Sequence, residues 1–178
     1  MQQGFTLIEL VTVIVILVIL SAFAIPRFSN LQRDSRIAVL QGIYGSMRSA
    51  IAITRVNALA HGMNTLTTNP GNGSEQDIFI VEMEGFSVEV DWRNLCPESR
   101  GERADAKDMH HFINLTEANL EEDKVHSFSS NLQLWYNNDY TVVGYDIPSN
   151  SSGGPGCYVL YHSTAEPECT LELISSDC

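Results

Sequence analysis

The chain has 178 residues, enough for one modest core plus a distinct N-terminal segment. Hydrophobic side chains make up 44% and charged ones 18%, a balance that excludes a disordered polymer. The formal net charge is -12, from 22 acidic against 10 basic residues with no Lys/Arg cluster, so the electrostatic footprint of a nucleic-acid binder is missing and no nucleic-acid partner is expected.

Residues 5–25 are apolar apart from Thr6, Glu9, Thr12 and Ser21. About 20 such residues, coiled as a helix, cross a hydrocarbon core roughly 30 Å thick, so a membrane span is expected here. Ala22-Phe23-Ala24 imitates the cleavage site of a secretory signal peptide, which sustains an alternative reading as a secreted binding protein. Against it, no Lys or Arg precedes the run, and a helical pattern continues past the supposed cut. Glu9 is the anomaly. A carboxylate near the bilayer centre costs roughly 2.5–3.5 kcal/mol, so such residues pair with something and mark function.

The string Gly4-Phe5-Thr6-Leu7-Ile8-Glu9, followed at once by the apolar run, resembles the class III signal of type IV pilins and the related pseudopilins. The segment Ala24-Ile25-Pro26-Arg27-Phe28-Ser29-Asn30-Leu31-Gln32, with Arg33, Asp34, Arg36 and Leu40-Gln41-Gly42, resembles the mannose-sensitive haemagglutinin (MSHA) pilins, and the similarity is close over residues 1–50. This resemblance implies an α+β fold: a long N-terminal helix, its apolar half protruding, packed against an antiparallel sheet with a C-terminal disulfide-closed region. It implies a leader, 1–4, removed by a prepilin peptidase between Gly4 and Phe5, with N-methylation of Phe5. Residues 5–25 then form the transmembrane and fibre-core half of the helix, and 26–178 the periplasmic or extracellular domain. Glu9 would pair with the freed Phe5 amine of a neighbouring subunit, and Pro26 falls where pilins bend.

The implied function is that of a structural subunit in an MSHA-like pilus used for attachment, by a Gram-negative bacterium. Its partners would be further copies of itself in a helical homopolymer, the peptidase, the assembly platform, minor pilins, surface or glycan ligands, and the inner membrane before assembly. No cofactor is implied. A minor pilin or a type II secretion pseudopilin is the alternative within the class. Two departures stand out: Met1-Gln2-Gln3 lacks the basic residues of pilin leaders, which makes an upstream start the expectation, and Val18 replaces a glycine often found in MSHA pilins.

Beyond Pro26, Phe28, Leu31, Leu40, Ile43, Tyr44, Met47, Ala50, Ile51, Ala58 and Leu59 recur at helical spacing, which predicts one face packed under a sheet. A helix over residues 5–60 is roughly 84 Å long at 1.5 Å per residue, so about half of it should project. Gly62 and Asn69-Pro70-Gly71-Asn72-Gly73 stop it. Strands follow at 78–84 and 86–92 about a Glu84-Gly85 turn, then a polar stretch, 93–130, whose best short-helix candidate is 104–115. Further strands are expected at 133–136 and 140–146 around Asn137-Asn138-Asp139, a surface loop at 149–156, and a final hairpin from 158–163 and 170–175.

Cys96, Cys157, Cys169 and Cys178 are even in number and lack CxxC spacing, which points to two disulfides made in an oxidising compartment. The final hairpin brings Cys157 near Cys178 and leaves Cys169 for Cys96; the other two pairings stay open at this level. A bridge from Cys157 to Cys178 resembles the C-terminal disulfide loop of pilins.

Other clusters invite chemistry less well. His110-His111, near Asp105, Asp108 and His126, suggests a metal, but adjacent histidines point apart on a helix and no metal is expected. The acidic stretch 117–123 lacks the glycine and alternating oxygen ligands of a calcium loop. No G-x-S-x-G elbow occurs, and no catalytic site or enzyme activity is expected. Trp92, Trp135, Tyr136, Tyr140, Tyr158 and Tyr161 lie in or beside strand-like runs, where aromatics build cores more often than glycan platforms.

Overall fold

The computed structural model describes residues 6–71, 77–103, 106–115, 120–148 and 153–178, and of residues 24–29, 77 and 130 the backbone alone. One helix, α1, runs Leu7–Ala60. Its first half is rich in Val and Ile, which are only moderate helix formers in water. In apolar surroundings the balance changes, because a helix satisfies its own backbone hydrogen bonds. The helix continues through Pro26. It stops where Gly62 takes φ +79, so that the Gly62 N–H donates to Leu59 O (3.0 Å) and the Met63 N–H to Ala58 O (3.0 Å). This is the paired-bond stop for which glycine is the favoured residue.

The chain forms two units, Met1–Arg36 and Ile37–Cys178. In the second, the strands are β1 (Ile80–Met83), β2 (Phe86–Glu89), β3 (Ala106–Lys107), β4 (His126–Ser127), β5 (Gln133–Tyr136), β6 (Tyr140–Tyr145), β7 (Cys157–His162) and β8 (Thr170–Ser175), with a one-turn helix, α2, at Met109–Phe112. Strands β4 to β8 make a five-stranded antiparallel meander in sequence order. A smaller sheet has β1 antiparallel and β3 parallel to β2. The register Met83↔Phe86 closes β1 and β2 over Glu84 and Gly85, and Gly85 supplies the positive φ (+93) that such a turn needs.

The period-2 pattern of the meander sends alternate side chains to its two faces. Leu134, Tyr136, Val143, Tyr145, Cys157, Val159 and Tyr161 pack with Leu40, Met47 and Ala50 of α1 in the main core. Trp135, Val142, Tyr158 and Ile147 form a second cluster. A third joins Ala58 at the end of α1 to Phe79, Val81, Val90 and Leu95.

Several expectations are corrected. The 104–115 helix shrinks to Met109–Phe112, because Ala106 and Lys107 pair with Ser87 and Val88 of β2 instead. The first strand begins at Ile80, with Asp77–Phe79 forming a 3-10 turn, and β2 ends at Glu89 rather than at residue 92. On α1, Leu31 (64% exposed) and Leu59 (59% exposed) lie off the buried face, whereas Thr54 is on it. Ser149 to Ser152 of the surface loop fall outside the described residues.

Candidate functional site

Gly4 and Phe5 lie outside the described residues, as does the side chain of Pro26. Thr6 is the residue ahead of α1, and Glu9 sits three positions on. The Thr6 hydroxyl donates to Glu9 Oε2 (3.2 Å), the Thr6 backbone N–H points at the same oxygen (3.4 Å), and the Glu9 N–H donates to Thr6 Oγ1 (3.3 Å). This reciprocal arrangement satisfies two N–H groups that a helix start otherwise leaves open, and the carboxylate lies at the positive end of the helix dipole. The pattern T-x-x-E was legible in the sequence and is the local signal that reading missed.

Beyond Glu9 every described side chain up to Phe23 is exposed, including Leu10, Val11, Val13 to Leu20 and Phe23, on all sides of the helix. A helix apolar all round belongs in a bilayer or inside a protein bundle, not in water. Thr12 and Ser21 do not interrupt it, because their hydroxyls donate back to Ile8 O (2.6 Å) and Leu17 O (2.7 Å). Among the described residues no helix is long and apolar enough to cross a membrane; the apolar run is described in full only to Phe23.

At the other end of the chain Cys157 is bonded to Cys178 and Cys96 to Cys169, with Cα–Cα separations of 4.8 and 6.3 Å. The first bond closes the free end of β8 onto the start of β7. The second ties the loop after β2 to the β7–β8 turn. Two buried polar contacts reinforce it: Asn94 Nδ2 donates to Ser163 O (2.6 Å), and Tyr161 Oη to Pro97 O (2.5 Å). Trp135, Tyr136, Tyr158 and Tyr161 are buried, Trp92 packs against the third cluster, and Tyr140 stacks on His162 at 4.1 Å. Each of these rings serves packing.

A buried polar group lies between β2 and α2. Glu89 Oε2 accepts from the backbone of Glu102 (2.5 Å) and Arg103 (3.1 Å), and burial still raises its carboxyl above the usual range. Asp91 holds Arg93 (2.6 Å), whose guanidinium also sits 4.1 Å over Trp92; burial outweighs that cation and leaves Asp91 raised too. Burial, with Glu89 and Asp91 close by, pushes Glu98 up to about 9. Burial moves Asp108 up to about 6 and His110 down to about 4.

The histidine pair departs from expectation. Because α2 is a single turn, the His110 and His111 rings do not point apart but lie 4.5 Å from centroid to centroid, and both approach Asp108. Asp105 lies outside the described residues, and His126 instead turns its Nε2 to Glu121 O (2.8 Å). In the acidic stretch, Glu121 pairs with Lys124 and Glu122 with Arg100 (3.3 Å), so these acids have protein cations as partners.

The model of the prokaryotic N-terminal methylation motif matches residues 1–25. The N-terminal region is thus similar to that of type IV pilins. Over 75 residues the chain is 44% identical to the type IV narrow pilus major component PilA5 of Thermus thermophilus, covering 40% of this chain and 63% of the relative. Over 51 residues it is 45% identical to the type IV major fimbrial protein FimA of Dichelobacter nodosus, covering 29% of this chain and 33% of the relative. The chain therefore spans less than two thirds of these relatives. No solved structure matches the chain significantly. The relatives' names are those of pilus and fimbrial components, and none is that of an enzyme.

Proposed function

We propose that the chain is a major structural subunit of a type IV pilus, made as a precursor that spans the inner membrane through residues 5–25. The carrying observation is the exposed, predominantly apolar helix surface from Leu7 to Phe23, in which Glu9 is the single charged residue. Hydrolysis of the Gly4–Phe5 amide releases the leader and leaves an α-amine on Phe5, which a methyl donor then methylates. That amine is a cation near neutral pH, with an unperturbed pKa of about 7.7–8.0. It gives Glu9 an opposite charge on a neighbouring subunit, and the pairing sets the axial register of an incoming copy. Assembly moves the apolar surface from lipid into a bundle of like helices, so association draws on helix packing and this ion pair rather than on fresh burial from water.

The globular unit faces outward in this reading, acidic and closed by two disulfides. MSHA-like character, a role in surface attachment and a Gram-negative host are parts of the same proposal. They rest on the segment 24–42 and on the export-type cysteines. The test is replacement of Glu9 by Ala: the subunit should be processed and stay in the membrane without forming fibres, and normal piliation would refute the assembly role.

A further inference from the structure

The extended backbone of Asp108 (φ -96, ψ 174) folds its carboxylate over the single turn of α2, where His110 and His111 follow. Asp108 Oδ2 lies 3.6 Å from His110 Nδ1, and Asp108 Oδ1 lies 3.3 Å from His111 Nδ1. One ligand atom from each of the three residues falls within 4.8 Å of the other two. Tetrahedral zinc, with bonds of about 2.0–2.2 Å to nitrogen and oxygen, holds neighbouring ligand atoms about 3.3–3.5 Å apart. The separations of 3.6 and 3.3 Å, made by the two oxygens of the one carboxylate, lie close to that spacing.

A second observation points to a ligand independently of the spacing. His110 is 4% exposed, and its Nδ1 is buried without a hydrogen-bond partner. Native structures seldom leave a buried ring nitrogen so, unless it has an ion or water to meet. Entry is available through His111, whose side chain is 30% exposed and lines a cavity of about 250 Å³ with Phe86, Lys107, Phe112 and Asn114. The bond that metal binding displaces is weak: the Asp108 N–H reaches His111 Nδ1 only at 3.4 Å.

We propose that Asp108, His110 and His111 bind one zinc ion, with water from the cavity in the fourth position. Two imidazoles and a carboxylate suit zinc and other late first-row divalent ions over calcium and magnesium, which prefer all-oxygen sites. The ion has a structural role. It fixes α2 beneath Tyr136 of β5, whose ring lies 5.0 Å from that of His110, and so clips the segment after β3 onto the five-stranded sheet. Lys107, on the same cavity wall, opposes the cation and keeps the affinity moderate.

The full disulfide-bonded chain in detergent, stripped with chelator, is titrated with Zn2+ and separately with Co2+. Binding of one equivalent, the visible absorption of tetrahedral Co2+, and a rise in Tm of roughly 5 °C or more at a hundredfold excess over Kd are expected. His111→Ala and Asp108→Asn, the first at a partly exposed position, should each weaken binding at least about tenfold, as loss of a ligand or its orienting partner does. No saturable binding at millimolar Zn2+ overturns the proposal. So does binding that survives unchanged in both variants, which places the ion on another histidine.

Discussion

The hydroxyl of Thr6 and the carboxylate of Glu9 hold each other at 3.2 Å, while the Glu9 backbone N–H returns to the same hydroxyl at 3.3 Å. Glu9 therefore has a partner within its own chain before any cleavage has produced an amine. Two roles can be separated: Glu9 caps its own helix, and in the proposed fibre it also neutralises a neighbour's charge. Glu9→Gln keeps the cap, since Gln completes the same box, but removes the charge. Processed Glu9→Gln subunits should fail to form fibres much as Glu9→Ala does. Thr6→Ala, which costs about 1 kcal/mol of helix start, should still assemble. Electron microscopy of cell-surface fibres reads all three variants, and wild-type piliation in Glu9→Gln would leave Glu9 with the capping role alone.

Gly144 lies across from Tyr158 in the β6–β7 register, and a Cβ built on it would stand 2.3 Å from Cys157 O and 2.4 Å from Tyr158 Cβ. No side chain fits without parting the two central strands. Gly144→Ala should destabilise the domain by about 3 kcal/mol, at the upper end of typical overpacking costs. Gly45, on α1, has nothing within 4 Å of such a Cβ, so Gly45→Ala should be neutral or stabilise by up to about 1 kcal/mol through helix propensity. Urea unfolding of the pair checks both signs.

The two disulfides should differ in worth. With sequence separations of 21 and 73, loop-closure entropy gives about 3 kcal/mol for Cys157–Cys178 and about 4 kcal/mol for Cys96–Cys169. Paired Cys→Ser variants, compared by thermal unfolding, should rank in that order. In a fibre, loss of Cys157–Cys178 should show as faster proteolysis from the C-terminal strand.

Much of this architecture is legible in the sequence where one physical signal dominates. The strands Gln133–Tyr136 and Thr170–Ser175 keep the bounds of their strand-like runs, and in the first Leu134 and Tyr136 join the main core while Trp135 joins the second cluster. The segment 104–115 is less legible. It has helix-forming residues, but Ala106 and Lys107 find an edge to pair with on β2, and tertiary pairing overrides a weak local propensity. The approach of His110 to His111 follows from that shortening, because the rule that neighbours diverge holds for a continuing helix and not for a single turn. Glu98 gives no sequence signal at all; its altered acidity comes first from burial in the folded domain and then from Glu89 and Asp91 brought close to it.

Glu98 makes stability depend on pH in the alkaline direction. Its folded-state pKa is raised from 4.5 to about 9, so the folded protein holds a proton that the unfolded chain releases. That contribution is full below pH 4.5 and is lost as pH rises towards 9, with a slope of at most about 1.4 kcal/mol per pH unit. Between pH 7 and 9 the wild-type Tm should fall. Glu98→Gln, neutral throughout, should show a flatter profile over the same window, and an equally steep fall in the variant would assign the effect to another group.

The most direct test of the account is the mass of the mature N-terminus, measured by peptide mass spectrometry on the protein recovered from its native host. A first residue of Phe5 carrying one methyl group is the predicted result. A chain that begins at Ile25, or one that retains Gly4 in assembled material, would contradict it.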